Sequence, residues 1–222
     1  TDQPGSMHAF VSMCTDATMM DAWGDLETAV STGRNVFEWV FGTDFFGHLA
    51  DNPALSEQFN TAMRQGTRVT SRVLPTVYGF GRFGTVADIG GGDGTLLASV
   101  LAAHPHLRGA VCDSAEGLTG ADQVLSDADV ADRCERRECD FFQEVPAGFD
   151  AYLLKSILHD WDDSQAHLIL RNCHAAMGDK GRLLIVEPVL PTVATPTAEL
   201  AYLSDLNMLV NLGGRERTLS EF

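Results

Sequence analysis

Two carboxylates and a run of glycines are the first residues in this chain that could do chemistry. In Val86-Ala87-Asp88-Ile89-Gly90-Gly91-Gly92-Asp93-Gly94-Thr95, an apolar stretch with one acid leads into glycines at alternate positions, and the apolar run Leu96 to Leu101 follows. That order describes a strand that ends in a tight turn and opens a helix, the place where α/β sheets bind ligands. Glycine allows positive φ and lets a ligand approach the backbone with no Cβ in the way. A dinucleotide fingerprint is excluded, because the position three after Gly92 is Thr95, and no G-x-x-x-x-G-K-[ST] phosphate loop occurs. The remaining D-x-G-x-G-x-G pattern, with Asp88 at the strand end and Gly90 and Gly92 in the turn, suits a ligand with an ammonium group and a sugar but no phosphate. S-adenosylmethionine fits that description. An unliganded glycine turn is the alternative.

A further carboxylate follows at a telling interval. Gly109-Ala110-Val111-Cys112 reads as the next strand and Asp113 closes it. A carboxylate about 20 residues past the glycine turn can accept hydrogen bonds from ribose hydroxyls; the plainer reading makes Asp113 the cap of a helix starting near Ser114. Phe149 to Lys155 then reads as a buried parallel strand. It runs into Ser156-Ile157-Leu158-His159-Asp160-Trp161-Asp162-Asp163, which places a histidine and several acids at a strand-to-helix junction.

With this string the chain resembles the small-molecule O-methyltransferases of the caffeic-acid type, a family of plant phenylpropanoid and actinobacterial antibiotic-tailoring enzymes. The resemblance covers nearly all 222 residues. Asp21-Ala22-Trp23-Gly24-Asp25-Leu26, Thr32-Gly33 and Phe41-Gly42 are similar to the helical segment ahead of that family's cofactor domain. Gly213-Gly214-Arg215-Glu216-Arg217-Thr218 is similar to its late G-G-x-E-R-T motif. The resemblance implies that Gly90 lies in the cofactor turn, Asp113 binds ribose, Asp140 and Phe141 flank the adenine, and Lys155 contacts the cofactor. It also implies that His159 is a general base held between Glu187 and Glu216. At Asp113-Ser114-Ala115-Glu116 the chain departs from the family's common D-L-P.

The chemistry is coherent with that assignment. Methyl transfer from a sulfonium needs a nucleophile with a free lone pair. A phenol of pKa ~10 facing an ordinary histidine of ~6.5 makes full prior proton transfer cost roughly 5 kcal/mol. A carboxylate that favours imidazolium narrows the gap. Most of the acceleration is expected from holding donor, acceptor and base in line. The acceptor pocket is expected to be walled by Met13, Trp23, Phe59, Met63, Met208 and Asn211, with ordinary core packing as the alternative for each.

Along its length the chain falls into two parts. Residues 1–80 carry helical patterns with no convincing strand, including the stripe Leu55, Phe59, Ala62 and Met63. From residue 81 onward strands near 84–89, 108–113, 134–139, 149–155 and 181–187 alternate with helices near 94–104, 116–126, 163–177 and 197–210. Such alternation predicts an α/β fold, a doubly wound and mostly parallel sheet, preceded by the helical segment. A further helix is expected from Leu219. Five strands leave one sheet edge uncovered, so the chain is expected to be a fragment, lacking an N-terminal dimerisation domain and C-terminal strands of a longer homodimeric protein.

Composition sets the outer limits. An apolar content of 45% over 222 residues supports one sizeable core. A net charge of −16 argues against nucleic acid, whose phosphates need a basic face. The five cysteines show no C-x-x-C spacing and read as reduced thiols of a cytoplasmic protein. Neither a membrane span nor a secretory leader is predicted, and no metal is expected. The sequence thus points to S-adenosylmethionine-dependent methylation of a hydroxyl, phenolic by first expectation, on a small aromatic or polyketide-like molecule. The alternatives are N-methylation, a non-methylating reaction on the same scaffold, or a non-catalytic cofactor-binding module.

Overall fold

The computed structural model describes residues 6–222. Six helices come first: α1 (His8–Cys14), α2 (Ala17–Trp23), α3 (Leu26–Thr32), α4 (Phe37–Phe41), α5 (Phe45–Asp51) and α6 (Pro53–Val77). Asp16 and Asp44 cap α2 and α5 through their side chains, accepting from Thr18 N and Gly47 N. Pro53 opens α6, where its missing N–H costs nothing. The stripe read at Leu55 to Met63 is the start of this 25-residue helix. Met13, Met19, Phe37, Phe45, Leu49 and Ala62 form the buried centre of the helical layer.

The chain then alternates as β1 (Thr85–Ile89), α7 (Thr95–Ala103), β2 (Arg108–Asp113), α8 (Ala121–Asp127), β3 (Cys134–Glu138), β4 (Ala151–Lys155), α9 (Asp163–Ala176) and β5 (Arg182–Val186). These strands form one sheet in the order β3-β2-β1-β4-β5, with every pairing parallel. The helical segment and the doubly wound parallel sheet agree with the sequence reading.

Period-two alternation builds a core on each face. Val86, Val111, Leu153 and Leu184 turn toward α7 and α8. Ala87, Ile89, Ala110, Cys112, Tyr152 and Leu154 turn toward α9. Between β1 and β4 the strand order reverses, so the crevice at their carboxyl ends is the topological switch point of the sheet. The glycine turn leaves β1 there, and the His159 turn leaves β4.

Two boundaries differ from the sequence reading. The helix expected over 116–126 starts at Ala121, because Ser114 to Thr119 form turns in which the Ser114 hydroxyl accepts from Gly117 N. The helix expected from Leu219 is instead a turn. The Glu221 carboxylate accepts from both Thr218 N and Thr218 Oγ1. That turn follows a two-residue parallel pair that the sequence did not reveal, β6 (Val189–Leu190) with β7 (Arg217–Thr218), separated in the chain by α10 (Glu199–Asn211). Among the described residues β5 pairs only with β4, and Ile185 on it is partly exposed. No helix in the described residues is long and apolar enough to cross a membrane.

Tyr152 joins β4 to the opposite layer, its buried hydroxyl lying 3.0 Å from both Pro146 O and Ala176 O. Tyr152→Phe removes the hydroxyl serving those two carbonyls and should destabilise the chain by about 1–2 kcal/mol in urea unfolding.

Candidate active site

The first half of the site is the turn after β1. Gly90 N and Gly91 N both donate to Cys112 O, at 2.8 and 3.3 Å, which ties the turn to the end of β2. Gly90 has φ 68°, and a Cβ there would collide with the Ile157 side chain from the β4 loop. Gly92 has φ 58° with open space where its Cβ would be. The turn is therefore crowded on one side and bare on the other, the shape of a cradle for a ligand.

Three carboxylates frame it. Asp113 Oδ2 accepts from Gly92 N at 2.8 Å and Oδ1 from Ser114 N at 2.7 Å, while burial pushes its pKa up. Asp88 is 2% exposed and its Oδ2 has no hydrogen-bond partner. Burial first, and then the Asp113 charge, raise its pKa to about 7 against the pull of Lys155. Asp93 accepts from Thr95 N and Oγ1 at the start of α7 and pairs with Arg64 of α6. Lys155, its pKa lowered by burial, donates to Thr67 Oγ1 at 3.2 Å. Phe141 lies close to Gly90, and its backbone carbonyl accepts from Asn172. Asp140 is turned to its own loop, accepting from Phe142 N and Gln143 Nε2.

The second half is the turn after β4. Ser156 has φ 54°, a left-handed conformation rare outside glycine. The reversal aims Ile157 N and Leu158 N at Glu187 Oε1, each at 2.8 Å. A 3₁₀ turn over Leu158–Asp160 follows and presents the His159 ring. Its Nδ1 lies 2.9 Å from Glu216 Oε1 and 3.7 Å from Glu187 Oε2; its Nε2 lies 3.4 Å from Asp160 Oδ1. Carboxylates only accept, so Nδ1 carries the proton. Glu216 is itself fixed, accepting from Ser204 Oγ at 2.6 Å and donating its N–H to Asp205 Oδ1 at 2.9 Å. The two glutamates thus divide the work. Glu216 binds the ring, and Glu187 binds the main chain beneath it.

Burial by itself would lower the His159 pKa. Asp160, the Glu216 hydrogen bond and Glu187 outweigh it and hold the pKa up to about 9. Burial pushes Asp160 up to about 7 despite the histidine beside it. The ligand atoms of His159, Glu187 and Glu216 lie within 4.8 Å of one another, a spacing that a divalent cation could bridge. The hydrogen bond from Nδ1 spans the shortest part of that gap.

The residues expected to wall an acceptor pocket divide. Met13, Phe59, Met63 and Trp23 pack together in the helical layer. Met208 and Asn211 sit on α10, one turn apart and buried. Asn207, which the sequence reading passed over, connects the two groups: its Oδ1 accepts from Trp23 Nε1 at 3.1 Å and from Asn211 Nδ2 at 2.9 Å. Its spacing of four from Asn211 on a helix was the available signal. Asp160 and Ser204 were missed too. Asp160 is next to His159 in the chain, but Ser204 reveals itself only through the fold.

Asp88 supplies a test of these electrostatics. Its pKa rises from 3.8 to about 7 on folding, so ionising it weakens the fold progressively as pH climbs between those values and no further above 7. The His159 contribution, present below 6.5 and lost through about 9, is shared by wild type and variant and cancels in their difference. Asp88→Asn should therefore gain on wild type by a few kcal/mol between pH 4 and 7, read as a melting-temperature difference that opens with pH and then levels.

Comparison with known proteins identifies the family. Residues 23–222 match the O-methyltransferase domain family. The chain is 49% identical over 221 residues to the O-demethylpuromycin-O-methyltransferase of Streptomyces alboniger, covering 98% of this chain and 58% of that protein. It superposes on the crystal structure of LaPhzM with a TM-score of 0.93 at 42% identity, covering 100% of this chain and 66% of that one. It also superposes on NcsB1, an O-methyltransferase from neocarzinostatin biosynthesis solved with S-adenosylmethionine and 2-hydroxy-5-methyl naphthoic acid. There the TM-score is 0.88 at 31% identity, over 99% of this chain and 66% of that one. The chain spans less than two thirds of the length of these relatives. By sequence and by fold, it belongs to the O-methyltransferase domain family.

Proposed function

We propose that the chain transfers the methyl group of S-adenosylmethionine to a hydroxyl, in the first instance a phenol, of a small aromatic or polyketide-like acceptor, with His159 taking the hydroxyl proton. One observation carries the reading: a histidine at the switch-point crevice, anchored at Nδ1 by a buried carboxylate beside a glycine cradle. The names of the relatives, which include a phenazine O-methyltransferase and a naphthoate 7-O-methyltransferase, support the acceptor class.

The residues present fit the cofactor. The open side of Gly92 admits close approach, Asp113 offers oxygens to ribose hydroxyls, and the unpartnered Asp88 Oδ2 lies at the same turn. In this reading Phe141 packs on the adenine, Asp140 lies at its edge and Lys155 borders the cofactor. S-adenosylmethionine supplies an electrophilic methyl group on a sulfonium. With the cofactor bound, the acceptor's hydroxyl proton would pass to His159 Nε2, whose ring Glu216 holds from the Nδ1 side.

The raised pKa of His159 matters here. Against a phenol of ~10, a base at about 9 leaves a proton-transfer cost of about 1 kcal/mol, where an ordinary histidine would leave roughly 5 kcal/mol. Glu216 and Glu187 stabilise the imidazolium as it forms, and Asp160 faces the nitrogen that receives the proton.

Three experiments test the reading. Methyl-deuterated S-adenosylmethionine incubated with a panel of phenols should give a product carrying the labelled methyl on oxygen by mass spectrometry; a labelled nitrogen, or binding without product, would replace the proposal. Since only the neutral ring can accept a proton, kcat/KM should climb with pH to a limb near 9, the value set by the carboxylates, before the acceptor's own ionisation. Glu216→Gln should move that limb down, and His159→Ala should abolish it with a rate loss of roughly 10²–10⁴. Finally, Asp113→Ala should weaken S-adenosylhomocysteine binding at least tenfold in calorimetry, from hydrogen bonds worth about 1.5–3 kcal/mol each, while His159→Ala leaves it intact.

A further inference from the structure

The G-G-x-E-R-T motif contributes Glu216 to the site, but its arginine has no part in the chemistry above. Arg217 is nonetheless 4% exposed, the only buried arginine among the described residues. Its Nη1 donates to Leu158 O at 2.7 Å and its Nη2 to Trp161 O at 3.0 Å. Nη2 and Nε also reach Asp163 Oδ1 at the start of α9, at 2.8 and 3.2 Å. Arg215 N donates to His159 O at 2.9 Å. Gly214 lies so close to the turn that a Cβ there would overlap His159 O and the Asp160 carbonyl carbon.

We infer that Arg217 is a positioning residue that sets where the His159 ring stands, acting through main-chain carbonyls without touching acceptor or cofactor. The inference rests on the reading of His159 as the reactive group. The turn that presents His159 is a single 3₁₀ turn, and its own closing bond, from Trp161 N to Leu158 O, is long at 3.4 Å. Arg217 gives the Leu158 carbonyl a second, shorter partner and takes the carbonyl of Trp161, while Arg215 N takes that of His159. A fixed positive charge at the carbonyl end complements the turn's dipole, as Glu187 does at the amide end.

The alternation of side chains makes the grip two-sided. Glu216 and Arg217 are consecutive, so they point to opposite sides of an extended segment: one takes the ring of His159, the other the backbone beneath it. A lysine keeps the charge, but it cannot span two carbonyls and a carboxylate as the planar fork does. Releasing the backbone would let the 2.9 Å bond to Glu216 leave the hydrogen-bond window. A misplacement of about 1 Å in a reacting group can cost ~10²-fold in rate.

The test reads the imidazole directly and needs no acceptor. In long-range ¹H–¹⁵N spectra of the full chain, His159 is assigned by the signal lost in His159→Gln, and its titration is followed in Arg217→Ala and Arg217→Lys. The expected result is a fall of about one pKa unit or more in both variants, with S-adenosylhomocysteine affinity unchanged, and a shift back toward the wild-type titration when guanidinium ion is added to Arg217→Ala. With an acceptor in hand, kcat should fall by ~10–10²-fold at constant KM for the cofactor. A folded Arg217→Ala whose His159 titrates as in wild type overturns the inference; so does a loss of cofactor affinity that parallels the histidine shift, which would mark a general structural role. If Arg217→Ala does not fold, Arg217→Lys decides by the same signal. A histidine shift in a chain that transfers no methyl group would leave the positioning role standing and refute the transfer reading instead.

Discussion

The hydrogen bond from His159 Nδ1 to Glu216 Oε1 is the contact to which the rest of the structure answers. It joins side chains 57 positions apart, one on the turn leaving β4 and the other at the end of the α10 segment. A buried carboxylate is costly unless paired and hydrogen-bonded, and Glu216 is 2% exposed. Ser204, His159 and the Asp205-bound backbone around it therefore form a condition of folding as well as a chemical device. The sheet supplies one half of that condition at its switch point, and α10 with the β6–β7 pair brings the other half to meet it.

A chain of formal charge −16 has no general need to bury its few cations. Here Lys155 and His159 stand among buried acids, and Arg217 is buried beneath the exposed carboxylate of Asp163. Asp88 and Asp160, each with a pKa near 7, make the local charge depend on pH in the neutral range, and the formal count overstates it there. The interior near the crevice thus works as a set of coupled protonation equilibria, and the histidine's place among them is decided by carboxylates from three separate segments.

Much of this was legible in the sequence, for identifiable reasons. Parallel strands buried on both faces leave continuous apolar runs, so 84–89 and 149–155 could be read directly. The glycine turn and the string from His159 to Asp163 are local, and each residue's neighbours are visible along the chain. What escaped was non-local or set by side chains folding back on the backbone. The start of α8 was displaced by the Ser114–Gly117 turn, and the turn after Thr218 is closed by Glu221. The full length of α6 was hidden because Pro75, a residue that ordinarily ends a helix, lies inside it. Asn207, Ser204 and the carbonyl clamp of Arg217 exist only once distant segments meet.

Gly214 has a consequence for how such a chain can change. Where main chain rests on main chain, as it does against the carbonyl of His159, no substitution is free, and that corner of the molecule can tolerate little mutational drift. The side chains of α1, α2, α6 and α10 face no such steric veto, because methionine and aromatic packing accepts exchanges of similar volume. Evolvability is therefore unevenly distributed over the fold. The helical layer can be re-lined by single substitutions while the crevice stays as it is.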